Sequence, residues 1–298
     1  MNWLIKTFSS SIGQKILMAL TGLFLCTFLV VHLTGNLQLL LDDGGYKFNA
    51  YAKFMTSNPI IKVASYITYL SILFHAFKGL WLASKNRAAR PKGYKKYAGQ
   101  ATSTWMSRSM GVLGTIILVF IATHMWQFWY QYHNSDASDE TAAVLYQEYT
   151  VVESEDGETM VFTQAFIEAM DSNIKAIVPK YQATGDQEGF YADPVYVEYK
   201  PIIDAMQYAQ NNGKLKIEKL KDLYTLVATS YENPWIVLLY VVSMGAVGFH
   251  LLHGFSSAFQ TMGWKHPKLN PLINGLTWFF GIIIPAGFAA IPLIMYFS

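Results

Sequence analysis

Seven histidines occur in 298 residues, and five of them, His32, His75, His124, His250 and His253, stand inside long apolar runs. Ionisable side chains in such surroundings are rare and mark ligand, ion or proton sites. Neutral imidazole is a metal ligand, and two of them fill the axial positions of a haem iron. Taken singly, each histidine could equally make an interhelical hydrogen bond. A shared pattern sets two apart: His75-x-x-x-Gly79 matches His250-x-x-x-Gly254. Four residues is one turn along the same helix face, where a glycine gives a flat ring access to the backbone. Helix packing is the competing use of that glycine. The lone Cys26 excludes a disulfide framework and any four-cysteine zinc or cluster site, and no glycine-rich nucleotide-binding fingerprint is present.

The elements that would position these side chains follow from composition. With 52% hydrophobic and 14% charged residues, the chain is too apolar for an ordinary soluble domain. Crossing roughly 30 Å of hydrocarbon takes about 20 apolar residues, and residues 16–41, 59–83, 110–132, 234–259 and 272–297 qualify. The first run is too long for a signal-peptide core and lacks a small-x-small cleavage site, so it is expected to be retained. Asn58-Pro59, Asn233-Pro234 and Asn270-Pro271 each offer a capping side chain before a proline at the first helical position.

The net charge of +2 hides a segregation. Residues 133–233 hold 18 Asp and Glu against 7 Lys, while the rest of the chain holds 15 Lys and Arg against only Asp42 and Asp43. Lys85, Arg87, Arg90, Lys92, Lys95, Lys96 and Arg108 crowd one short connection, and Lys265 and Lys268 another. Positive loops face the cytoplasm, which places the N-terminus inside and the C-terminus outside. The 42–57 loop and the acidic 133–233 insertion then face outward, into the periplasm of a bacterium. The insertion is expected to form a small cap, with helices at 163–170, 201–211 and 216–229 and short Val- and Tyr-rich runs such as 195–199.

Depth along the helices sorts the histidines. At 1.5 Å per residue, His32 lies roughly 24 Å from the inner start of span one and His124 roughly 21 Å from the inner start of span three. His75 and His250 each stand 16 residues after an outer entry proline, again roughly 24 Å, but on helices running the other way. Four helices thus supply one imidazole each, two near either face, as two bis-histidine haems stacked across a membrane require. His253 shares a face with His250, which is preferred for its depth match with His75 and its following glycine. His253, Lys78 and Arg108 could reach haem propionates near the inner rim; snorkelling is the plainer reading of Lys78, and a positive-inside anchor is an equal alternative for Arg108. Trp3, Trp81, Trp105, Trp129 and Trp264 read as an interfacial belt. Asn36, Gln38, Asp42, Asp43 and Lys47 could line an outer quinone pocket, although turn chemistry around Asp42-Asp43-Gly44-Gly45 explains most of them.

With those residues in view, the chain resembles the cytochrome b membrane anchor of succinate dehydrogenase and fumarate reductase, in its single-chain, five-helix, di-haem form. The resemblance covers residues 1–132 and roughly 220–298. It rests on Val30-Val31-His32-Leu33, Phe74-His75 with Gly79, Ser107-Arg108-Ser109 leading to Thr123-His124, and the run from Phe249-His250 through His253-Gly254-Phe255 to Gln260-Thr261-Met262-Gly263. It implies an all-α integral membrane protein whose five transmembrane helices form a di-haem bundle. Helices 1–3 would occupy 1–132, the outer insertion 133–233 and helices 4–5 234–298. It also implies His75 with His250 on an inner haem b, His32 with His124 on an outer one, a quinone, with menaquinone suggested, and cytoplasmic flavoprotein and iron–sulfur partners. No nucleic acid is expected as a partner. On this reading the subunit serves a succinate:quinone oxidoreductase and turns over no dicarboxylate alone. Some relatives carry a glutamate two residues before the fourth ligand as a proton route; here that position is Gly248, and no span contains an acid. The long acidic insertion is unexplained by the resemblance. Two rivals stand beside this reading: the di-haem cytochrome of another quinone-linked complex such as a hydrogenase or formate dehydrogenase, and a transporter or proton channel with histidine relays, which would want membrane-embedded carboxylates.

Overall fold

A segment crossing hydrocarbon must pair its backbone polar groups internally, which a helix does by itself. The computed structural model of the chain describes residues 3–89, 103–136 and 139–298. Arg90, Lys92, Lys95 and Lys96 of the basic connection lie outside the described residues.

In chain order the helices begin with α1 (Trp3–Ser9), α2 (Ser11–Asn36), which a 3-10 turn Leu37–Leu40 prolongs, α3 (Tyr46–Ser57) and α4 (Pro59–Ala88). Next come α5 (Trp105–His124), extended by a π turn Met125–Tyr130 and a last turn Gln131–Asn134, then strands β1 (Tyr146–Glu153) and β2 (Thr159–Thr163). Helices α6 (Gln164–Gln182), α7 (Gln187–Ala192) and α8 (Pro194–Asn211) precede β3 (Leu215–Lys221) and α9 (Leu223–Tyr231). The chain ends with α10 (Pro234–Thr261), α11 (Asn270–Trp278), a π turn Phe279–Ile283 and α12 (Ile284–Phe297). Five helical stretches, Ser11–Leu40, Pro59–Ala88, Trp105–Asn134, Pro234–Thr261 and Asn270–Phe297, are long and apolar enough to cross a membrane. The chain is mostly helical, consistent with a multi-pass helical membrane protein.

Contacts divide the chain into two compact units, one of Met1–Leu40, Phe54–His133 and Leu226–Ser298, the other of Leu41–Lys53 and Asn134–Thr225. In the first, α2 packs on α4, α4 on α5, α5 on α10 and α10 back on α2. The ring leaves α2 diagonal to α5, and α4 diagonal to α10. The fifth span packs along α10 and, through α12, against α2.

Two of the three expected caps form. Asn58 accepts from the N–H groups of Ile60 and Ile61, and Asn233 accepts from that of Trp235. Asn270 does not cap. Its own N–H already bonds the His266 carbonyl, so it is the first helical residue rather than the one before it, and its buried side-chain oxygen has no partner among the described residues. At this position the helix has begun one residue too early for the side chain to reach a free N–H.

The second unit departs from the helical plan with a three-stranded antiparallel sheet, ordered β2-β1-β3. Tyr149 pairs with Thr163 on one side and Glu218 on the other. Val152, Ala205 and Ala209 form a core with Met160, Phe162, Met206 and Leu215 around it. Three expectations for the insertion are corrected. The helix starting at the capping Thr163 runs on to Gln182, and the run 195–199, expected to stand apart from the helices, lies inside the first half of α8. Segment 216–229 is β3 followed by α9. Asp193 explains the second change: it caps α8 through the Val195 N–H, with Pro194 at the first helical position, and this outweighs the strand preference of Val and Tyr. Asn49 of α3, fully buried, donates to the Tyr149 hydroxyl and to Asp222 while accepting from the Tyr224 N–H. Burial pushes the Tyr149 phenol well above its ordinary pKa range, against the opposing pull of the Asn49 amide.

Candidate functional site

The helix ring brings the intramembrane histidines together in couples. The His32 and His124 rings, on α2 and α5, have centroids 5.8 Å apart at 81°. Those of His75 and His250, on α4 and α10, lie 6.4 Å apart at 65°. Each couple spans a diagonal of the ring, the arrangement by which facing helices of a bundle build a site in its core. These are the couples that depth along the helices singles out. His253, on the same face of α10 as His250, is half-buried.

Two imidazoles ligating one metal ion from opposite sides, each through a bond of about 2 Å, hold their centroids roughly 6 Å apart. Plain edge-to-face contact between aromatic rings spans a similar range, so the spacing alone does not decide. The other ring nitrogens discriminate better, because a ligating histidine gives its free N–H to an acceptor that fixes ring and tautomer. Thr21 donates its hydroxyl proton to the Leu17 carbonyl at 2.8 Å, which leaves its oxygen to accept from His75 Nδ1 at 3.1 Å. The Tyr240 hydroxyl donates to Gln127 Oε1 at 3.0 Å, so its oxygen accepts from His124 Nδ1 at 3.1 Å. With the hydroxyl protons so placed, each Nδ1 would carry its proton and each Nε2 would keep the lone pair that a metal takes. Asn36 donates to the His32 carbonyl at 2.7 Å and stands 3.4 Å from His32 Nδ1. His250 Nδ1 is buried with no partner among the described residues. A buried polar atom left in that state is unfavourable, and it makes His250 the least anchored of the four.

The surroundings are apolar and closely fitted. Phe28 stacks on His32 at 5.2 Å and Phe288 of the fifth span leans on it at 5.5 Å. Phe120, Phe128 and Tyr240 surround His124. The His75–His250 couple is admitted by glycines on neighbouring helices: a Cβ on Gly22 would lie 3.2 Å from His75 Cε1, and one on Gly114 3.7 Å from His250 Cε1. Gly79 and Gly254, expected to admit a flat ring, instead face Met18 and Met110, each 3.7 Å from where a Cβ would stand. No three His, Cys, Asp or Glu side chains converge as a metal-ion site among the described residues. A haem iron asks for two axial imidazoles only, and the donor set, tautomers and diagonal placement fit that group.

The remaining candidates separate. Lys78 lies over the ring of Trp81 at 4.8 Å, a cation–π contact along its own helix, and the Arg108 guanidinium donates to the Ser103 carbonyl. Both contacts suit the anchoring readings. Asn36 and half-buried Gln38 belong to the helical unit, whereas Asp42, Asp43 and Lys47 belong to the other. Asp43 is committed to its turn, accepting from the N–H groups of Gly45 and Lys47.

Thr21, Gly22, Gln127 and Tyr240 escape a reading that looks only for ligands. Part of the signal is present as a repeat. Met18-x3-Gly22-x9-His32 returns as Met110-x3-Gly114-x9-His124, and Asn58-Pro59-x15-His75-x3-Gly79 as Asn233-Pro234-x15-His250-x3-Gly254. Comparison with protein-family models, with curated proteins and with solved structures finds no match.

Proposed function

We propose that the chain is the membrane-anchor cytochrome b subunit of a succinate:quinone oxidoreductase, holding two b haems and seating a flavoprotein and an iron–sulfur subunit on the bilayer. The observation that carries this reading is the pair of imidazole couples on the two diagonals of one helix ring, with Nδ1 protons committed to Thr21 and Tyr240. When bound, the haems supply one-electron transfer between the iron–sulfur subunit and a quinone, menaquinone by the resemblance.

The chain's own residues divide the remaining work. His75 and His250 hold the inner haem, and His32 and His124 the outer one. Thr21 and Tyr240 orient two of those rings, while Phe28, Phe120, Phe128 and Phe288 keep water from the outer couple. Lys78, Arg108 and His253 are the groups proposed for propionates, and Asn36 with Gln38 for the quinone. The basic loops, the N-terminus and the docked subunits lie on the cytoplasmic side of a bacterial inner membrane; the acidic insertion and C-terminus lie in the periplasm.

A membrane carboxylate route for protons is not part of the proposal. A Cβ at Gly248 would stand 2.8 Å from the Gly281 carbonyl oxygen, so a glutamate there would collide with backbone.

The test is gentle solubilisation of the complex through a tag on this chain. The expected result is co-purification of a flavin-bearing subunit and an iron–sulfur subunit with succinate-driven quinone reduction. A hydrogenase or formate dehydrogenase partner instead would overturn the assignment to this complex.

A further inference from the structure

We infer that Tyr240 is a positioning residue that sets the reduction potential of the outer haem through His124, and that Thr21 does the same for the inner haem through His75. The inference rests on the two-haem reading above.

The Tyr240 hydroxyl has one proton, and Gln127 Oε1, an acceptor at 3.0 Å, takes it. The Tyr240 oxygen is then left as an acceptor for the His124 Nδ1 proton 3.1 Å away. An imidazole whose far N–H is held by an acceptor carries more electron density on its ligating nitrogen. A more basic axial ligand favours ferric over ferrous iron, so it lowers the potential. The low dielectric of a bundle interior strengthens such a chain of bonds relative to the same chain in water. Thr21 acts likewise on His75, since its proton goes to the Leu17 carbonyl, and the Met18 backbone is a second hydrogen-bond partner of the same ring. His250 Nδ1 has no acceptor among the described residues. The inner iron therefore has one axial ligand strengthened in this way and one that is not.

The location of Gln127 supports a built device. It stands three residues after His124, within the π turn Met125–Tyr130 that follows the ligand directly. Such turns break the regular helical register and are frequent at functional sites.

The experiment is an optical redox titration of the purified complex, with the two haem waves resolved, on wild type, Tyr240→Phe, Gln127→Leu and Thr21→Val. Tyr240→Phe is expected to raise the midpoint of the outer wave alone, by about a tenfold change in the oxidised-to-reduced ratio, which is about 59 mV for one electron. Thr21→Val is expected to raise the inner wave alone, and Gln127→Leu to raise the outer wave by less than Tyr240→Phe. Unmoved waves in Tyr240→Phe and Thr21→Val, with both haems retained, would overturn the inference and leave the two-haem reading standing. If Tyr240→Phe loses its haem, Gln127→Leu decides: a raised outer wave supports the inference, and an unchanged one overturns it. A wild type without two haem waves would overturn the underlying reading instead.

Discussion

Gly248 and Gly281 bring α10 and the fifth span to backbone contact: a Cβ on Gly248 would lie 2.8 Å from the Gly281 carbonyl oxygen, and one on Gly281 2.5 Å from Leu252 Cδ2. The π turn Phe279–Ile283 contains Gly281, so the irregular turn and the glycine pair occupy one crossing. Small residues are how helices approach closely in hydrocarbon. The same crossing helps to position Phe288 against His32, since both follow from how the fifth span lies along α10.

Gly248→Ala and Gly281→Ala should each destabilise the protein by about 1–3 kcal/mol through overpacking. Gly245→Ala, where an added Cβ meets nothing within 4 Å, should be neutral or slightly stabilising. Thermal unfolding in detergent, followed by helical circular dichroism, checks the contrast. Equal losses at all three positions would show that the crossing is not as close as described.

How much of this was legible in the sequence depends on the range of the forces involved. The five spans follow from run length because hydrocarbon thickness is a one-dimensional constraint, and the histidine couples follow from depth for the same reason. Rotation about each helix axis is not in that arithmetic, so the roles of Thr21 and Tyr240 emerge only once α2, α5 and α10 are packed, whereas Gly22 leaves a trace in the repeat it shares with Gly114. Local rules failed where a longer-range partner decided. Lys216 to Lys221 looks helical alone, yet β3 pairs with β1 across some seventy residues of chain, Tyr146 with Lys221 and Val152 with Leu215. Asn270 failed for the opposite reason: a preceding turn from His266 begins the helix early.

Asn49 ties residues 41–53 to the sheet-bearing insertion within the second unit. Asn49→Ala should cost about 1–3 kcal/mol, because it strands the half-buried Tyr224 N–H and removes two donors. Tyr149→Phe, which loses the bond to the Gly44 carbonyl, should cost about 1 kcal/mol. Limited proteolysis of the intact chain reads both, with cleavage rising first between residues 134 and 225; unchanged cleavage in Asn49→Ala would contradict the assignment.

Asp193 gives the second unit an acid-sensitive point. The Tyr181 hydroxyl at 2.6 Å, then the Val195 N–H and Lys180, hold its carboxyl below the ordinary carboxylate range. A depressed folded-state pKa means stability that is present above the unfolded value, about 3.9, and is lost as pH falls through the folded one. Wild type should therefore exceed Asp193→Asn in urea resistance near pH 6, with the advantage shrinking below about pH 4. An advantage that stays constant down to pH 3 would contradict this.

The proposed orientation predicts opposite labelling of two surface positions. With Cys26, buried in α2, replaced by serine, Glu155→Cys should react with an impermeant maleimide in intact cells. Lys268→Cys should react only after lysis. The reverse pattern would invert the topology.

The central claim is that four imidazoles from four helices hold two haems. A pyridine haemochrome assay, normalised to protein, measures this on wild type and on His32→Ala, His75→Ala, His124→Ala, His250→Ala and His253→Ala. The account predicts two haems b per chain in wild type, severe loss in the first four variants and retention in His253→Ala. A wild type without haem, or full retention in His250→Ala with loss in His253→Ala, would contradict it.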